Sequence, residues 1–136
     1  MKRRTFLTSV AAMTLAGPAL AGVGSAYTPG LVQKELDAGR TVFVDFYADW
    51  CTTCRRQERV INALLADNPE YAEKISFVAV NWDQHANSEL SVSLNIPRRS
   101  TLVVLRGEDE IGRIVAGTRE TDIKALLDKA LAAAVS

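Results

Sequence analysis

The seven residues Thr41–Tyr47, TVFVDFY, limit what this chain can fold into more than any other stretch. β-Branched and aromatic side chains follow one another with no apolar–polar alternation. A strand that hides one face alternates; an unbroken apolar run suits a strand buried on both faces, as in the middle of a parallel sheet. The period then changes. Past Thr52, Val60, Ile61, Leu64 and Leu65 recur at helical spacing, and Arg55, Arg56, Glu58 and Arg59 fill the other faces. A buried strand feeding an amphipathic helix places the chain among α/β folds. One residue does not fit the strand: Asp45 carries a charge where burial is expected.

The remaining elements extend this pattern. Residues 29–39 suggest a short helix, and Asn68-Pro69 stops the long one. Residues 75–82 (ISFVAVNW) read as a second buried strand, residues 86–94 as a weak helix and residues 101–105 (TLVVL) as a third strand. Gly107-Glu108-Asp109-Glu110 supplies a turn, so residues 111–116 should close a hairpin. Ile123, Leu126, Leu127, Ala130 and Leu131 make a last amphipathic helix. The order α-β-α-β-α-β-β-α predicts one domain, a central mixed sheet of about four strands with helices on both faces.

The first 21 residues have another character. Lys2, Arg3 and Arg4 open the chain, a mostly small and apolar run from Phe6 to Leu20 follows, and Ala19-Leu20-Ala21 has the A-x-A form of a cleavage site. That is the layout of a secretory signal peptide, too short for a membrane span. Arg3-Arg4-Thr5-Phe6-Leu7 is also similar to the twin-arginine export signal. Residues 1–21 are therefore expected to be cleaved, residues 22–28 to form a leader with a flexible Gly22–Gly24 start, and residues 29–136 to form the domain. In a bacterium the destination would be the periplasm, where disulfides persist, and no stable membrane insertion is expected after cleavage. The whole chain has 16 basic and 16 acidic residues, a balance that offers no electrostatic grip on nucleic acid.

Cys51 and Cys54 are the only cysteines. As a staple they would close a loop enclosing two residues, and such short loops add little stability. As zinc ligands they lack company, since the only histidine is His85 and structural zinc takes four ligands. Their position favours exchange chemistry. Cys51 falls where strand gives way to helix, and the unpaired N–H groups of a helix start stabilise a thiolate. Cys54, three residues on, shares that helix edge. The Cys51 thiolate would attack a partner's disulfide, and Cys54 would then attack Cys51 and release the reduced partner. Asp45 lies on the strand leading into the pair. A carboxyl buried among apolar residues has a raised pKa and can take the Cys54 proton near neutral pH.

With these residues placed, the mature chain resembles the thioredoxin family. The resemblance rests on Val44-Asp45-Phe46-Tyr47-Ala48-Asp49-Trp50-Cys51-x-x-Cys54, on Val80-Asn81-Trp82-Asp83-Gln84, on Thr101-Leu102-Val103-Val104-Leu105 and on Gly117. The segment from Tyr47 to Cys51 is also similar to the periplasmic C-terminal domain of DsbD, a carrier of reducing electrons. The resemblance implies a thioredoxin fold and a protein-disulfide oxidoreductase with Cys51, Cys54 and Asp45 as catalytic residues. It implies a substrate surface of Trp50, Thr52, Thr53, Arg99, Ser100 and Gly117. No cofactor and no metal are expected, and a monomer is. The expected partners are protein disulfides and a membrane electron carrier of the DsbD type. A non-catalytic binding protein or chaperone on this fold would have no need of Asp45 beside Trp50-Cys51-x-x-Cys54; an oxidant would use the same residues as a reductant.

Three positions depart from the family pattern. Thr52-Thr53 separates the cysteines, with no cation between them but with hydroxyls able to donate hydrogen bonds. Ser100 stands where the family has a cis-proline; a cis bond before serine costs roughly 2.5–4 kcal/mol, so a trans Arg99–Ser100 peptide is expected. Ala79 stands where the family has a lysine near the buried aspartate, which leaves Asp45 without a charge partner. Arg98 and Arg99 are expected to flank the floor of the groove beside Cys51.

Overall fold

The strand β2 (Thr41–Tyr47) occupies the middle of the sheet, as its unbroken apolar run requires. The structure is a computed structural model that describes residues 22–136; the segment read as a signal peptide lies outside the described residues. In chain order the other elements are β1 (Ser25–Ala26), α1 (Leu31–Asp37), α2 (Thr52–Asp67), α3 (Glu70–Lys74), β3 (Ile75–Asn81), α4 (Trp82–His85), α5 (Glu89–Ser93), β4 (Thr101–Arg106), β5 (Asp109–Val115) and α6 (Glu120–Val135). The sheet order is β1-β3-β2-β4-β5. β1 and β2 run parallel to β3, β4 runs antiparallel to β2, and β5 returns against β4 as the expected hairpin.

Side chains alternate across β2. Val42, Val44 and Phe46 join a core with Val32, Val78, Val80 and Val103, packed under Leu36, Leu90 and Leu94 of α1, α5 and the turn after it. Phe43 joins the opposite core with Ile61 and Leu64 of α2, Tyr71 of α3 and Ile123 and Leu127 of α6. Asp45, two residues on from Phe43, points to that second face.

The sheet has five strands rather than about four. The additional one comes from the segment expected to be a leader, residues 22–28. Ser25 and Ala26 pair with Val78 and Ala79 of β3. Gly24 adopts φ +101°, and a Cβ there would collide with the Phe77 carbonyl, so only glycine lets this backbone lie so close to β3. Val23 is buried in the core. The weak helix expected over residues 86–94 is two short helices. Asn81 ends β3 by accepting a hydrogen bond from the Asp83 N–H at 3.0 Å, which starts α4 at Trp82. Ser88 caps α5 by accepting from the Ser91 N–H at 3.2 Å. After Asn68 stops α2, the single turn α3 follows and buries Tyr71.

Candidate active site

The site is built where β2 hands over to α2. Cys51 is the N-cap of α2, with extended backbone, and its sulfur accepts the Cys54 N–H at 3.1 Å. The same N–H is placed to stabilise a thiolate there once the disulfide opens. The two cysteines form a disulfide with Cα atoms 5.2 Å apart. Cys51 keeps 3% of its surface exposed and Cys54 none, so Cys51 is the more accessible of the two. Among the described residues, no three His, Cys, Asp or Glu side chains gather as a metal site.

Ser100, on the loop before β4, is fully buried against the pair. Its hydroxyl oxygen is 3.0 Å from the Cys51 sulfur and 3.0 Å from the Cys54 sulfur. The Arg99–Ser100 peptide is trans, and Ser100 adopts φ +64°, a conformation uncommon for any residue but glycine. Hydrogen bonds hold it there. Its N–H donates to the Phe46 carbonyl at 2.7 Å, and its carbonyl accepts from the Ala116 N–H at 2.8 Å and from Gln57 Nε2 at 3.0 Å. Gln57 Nε2 also donates to the Gly117 carbonyl at 2.9 Å. Gln57 thus ties both loops to α2, a role absent from the sequence reading. A signal was there: Cys54, Gln57, Ile61 and Leu64 fall on one helical stripe, so the amide had to be buried.

Thr52 and Thr53 form the first residues of α2, and neither hydroxyl bonds to a sulfur among the described residues; the hydroxyl that does so belongs to Ser100. Trp50 is 59% exposed. Its Nε1–H donates to the two Asp83 carboxylate oxygens at 3.0 and 3.3 Å. The Arg99 guanidinium stacks 4.2 Å from the Trp50 ring centroid. Arg98 folds back to donate to the Arg99 carbonyl at 3.0 Å. The ring therefore lies between an anion and a cation at the rim beside Cys51. Gly117 acts through its carbonyl, inside the Gln57 tether.

Asp45 is completely buried. One oxygen accepts the Val23 N–H at 3.1 Å, and the other has no partner. Ala79 lies opposite it on β3 and offers no charge. Burial, and secondarily the negative charge of Glu58, push the Asp45 carboxyl up to about 7, against a small opposing effect of the Val23 hydrogen bond. The Val23 contact shows why the so-called leader belongs to the site: the residues entering β1 deliver the only donor that Asp45 has among the described residues.

A buried Cys-x-x-Cys disulfide at a strand-to-helix switch, at the end of the strand that carries the buried Asp45, defines a thiol–disulfide oxidoreductase. The Thioredoxin family model matches residues 28–129, and the chain belongs to the thioredoxin family. It is 30% identical to Thioredoxin 1 of Nostoc sp. over 99 residues, covering 73% of this chain and 88% of that one. It is 32% identical to the mitochondrial Thioredoxin-2 of Schizosaccharomyces pombe over 100 residues, covering 74% of this chain and 70% of that one. Among solved structures, Trxlp from Edwardsiella tarda superposes with a TM-score of 0.67 at 28% identity, covering 77% of this chain and 98% of that one. The family acts on protein disulfides.

Proposed function

We propose that this protein is an exported reductant that opens protein disulfides in the periplasm and is itself re-reduced by a membrane electron carrier of the DsbD type. The basic start, apolar run and Ala19-Leu20-Ala21 of residues 1–21 support export. Among the described residues no helix is long and apolar enough to cross a membrane. The described residues run from β1 to α6 through short connections, with no inserted helical domain of the DsbA type and no dimerisation domain among them. That compactness favours a carrier of electrons over an oxidase or isomerase.

Asp45 is the observation that carries the exchange reading, in whichever direction electrons flow. Reduction of a partner ends when the Cys54 thiolate attacks Cys51 and the partner's sulfur leaves with its electron pair. Cys54 is wholly buried, so its proton needs an acceptor inside the protein. The unpartnered Asp45 oxygen is such an acceptor, directly or through water, and its pKa of about 7 matches the task. Trp50 and Arg99 form the rim that a partner meets first.

The reduction potential of the Cys51–Cys54 pair, measured against glutathione, tests the direction. A value near about −270 mV, as in thioredoxin, supports a reductant, and one near about −120 mV, as in DsbA, overturns it in favour of an oxidant. Cell fractionation tests export: the processed chain should appear with periplasmic proteins, and an unprocessed cytoplasmic chain would contradict that part.

A further inference from the structure

We propose that Ser100 is a catalytic residue: its hydroxyl donates a hydrogen bond to whichever of the two active-site sulfurs carries negative charge during exchange. The proposal rests on the exchange reading above and adds a group to it. The Ser100 hydroxyl lies 3.0 Å from both sulfurs, and it makes no other hydrogen bond among the described residues. Disulfide sulfurs carry no proton, so the hydroxyl must be the donor here. It has one proton and can serve one sulfur at a time.

The bond is weak while both sulfurs are neutral and strengthens when one becomes a thiolate, because hydrogen bonds to charged acceptors are the strong ones. An interaction that grows as charge develops accelerates the step that develops it. When a donor thiolate attacks Cys51, a new S–S bond forms to Cys51, the Cys51–Cys54 bond breaks and the electron pair leaves on Cys54. The hydroxyl then points to Cys54. When reduced Cys51 attacks a partner's disulfide, the hydroxyl holds the Cys51 thiolate beforehand. A tenfold gain in thiolate costs only about threefold in nucleophilicity, so the attack still gains about threefold while the thiol pKa lies above the ambient pH.

The mount is rigid. Ser100 is held at φ +64° by the Phe46 carbonyl, the Ala116 N–H and Gln57, so the hydroxyl does not have to be recruited during the reaction. A proline at this position would offer no hydroxyl, and its ring would hold φ near about −65° and remove the N–H now given to Phe46.

Two variants test the role. Ser100→Ala and Ser100→Gly both delete the hydroxyl, but glycine accepts φ +64° without strain and alanine does not. The readouts are the Cys51 pKa, followed by the ultraviolet absorbance of the thiolate, and the rate at which dithiothreitol opens the Cys51–Cys54 disulfide. In both variants the Cys51 pKa should rise by about one unit and opening should slow about tenfold. At a pH above the Cys51 pKa of both proteins, the equilibrium constant with glutathione should move about tenfold towards the disulfide, equivalent to about 30 mV. An unchanged Cys51 pKa and opening rate in both variants would overturn the proposal. So would a change in Ala alone, which would assign the effect to the backbone. The Cys51 pKa reports the hydrogen bond even if wild type fails to reduce a protein disulfide, a failure that would sink the exchange reading instead.

Discussion

The two faces of the central sheet are built for different ends. Under α1, α4 and α5, β2 contributes Val42, Val44 and Phe46, and its neighbours Val78, Val80, Val103 and Trp82 are apolar as well. Under α2, α3 and α6, the same strand contributes Phe43 and then Asp45, and towards the active-site end the burial includes Gln57 and Ser100. Asp45 and Gln57 each keep one oxygen without a partner. A buried polar atom without a partner is costly. One face therefore supplies stability. The other gives some of it up to hold a titratable group, a tether and a hydroxyl beside two sulfurs.

Substitutions of Phe46 and of Asp45, one on each face, should move stability in opposite directions. Phe46→Ala on the apolar face should destabilise by about 3–5 kcal/mol at every pH, read by chemical denaturation. Asp45→Asn should do the reverse, but only above the pH at which the aspartate ionises in the unfolded chain. The folded-state pKa of about 7 lies above the ordinary aspartate value of 3.8. Between those values the folded state holds a proton that the unfolded state has lost, so stability is full at the acid end and falls as pH rises towards 7. Above pH 7 the asparagine variant should be more stable than wild type by roughly 4 kcal/mol, with the gap closing near pH 4. A variant with the wild-type pH slope would erase the contrast between the faces.

Gln57→Ala should lower stability by about 1–3 kcal/mol, since the tether to the Ser100 and Gly117 carbonyls goes. It should also slow exchange without touching a sulfur directly, which a stopped-flow insulin-reduction assay can read. The smallest effect belongs to Glu58→Gln. The glutamine oxygen can still accept the Gly22 N–H that Glu58 holds at 2.6 Å, but the negative charge beside Asp45 is gone. Asp45 should then titrate below its wild-type value, detectable by NMR of the side-chain carboxyl.

Much of this contrast is legible in the sequence where the cause is local. The apolar run of β2, the lone Asp45 within it and the change of period at the cysteines all lie within one short stretch, and each is found where expected. Residues whose role depends on distant partners were harder to read. β1 is two residues long, and its hydrogen bonds are made to β3, about fifty residues away in the sequence. Ser100 could be recognised as a departure from the family's proline. Its positive φ, however, is set by Phe46, Gln57 and Ala116, three separate parts of the chain. The Thr52 and Thr53 hydroxyls are the nearest donors in the sequence, yet among the described residues neither bonds to a sulfur, and the donor comes from across the site. The reduction potential is likewise a sum over such contacts. The shift expected from Ser100, about 30 mV, is small beside the gap of about 150 mV between thioredoxin and DsbA, so Ser100 does not by itself set the direction of electron flow.

The most direct measurement is the pH dependence of mixed-disulfide resolution. A Cys51 adduct with a small aromatic thiol is prepared, and release of that thiol by Cys54 is followed from pH 5 to pH 9 in wild type and Asp45→Asn. The wild-type rate should rise through an inflection near 7, where Asp45 becomes able to accept the Cys54 proton, and the asparagine variant should be slower and lack that inflection. Identical profiles in the two proteins would contradict that role and remove Asp45 from the chemistry.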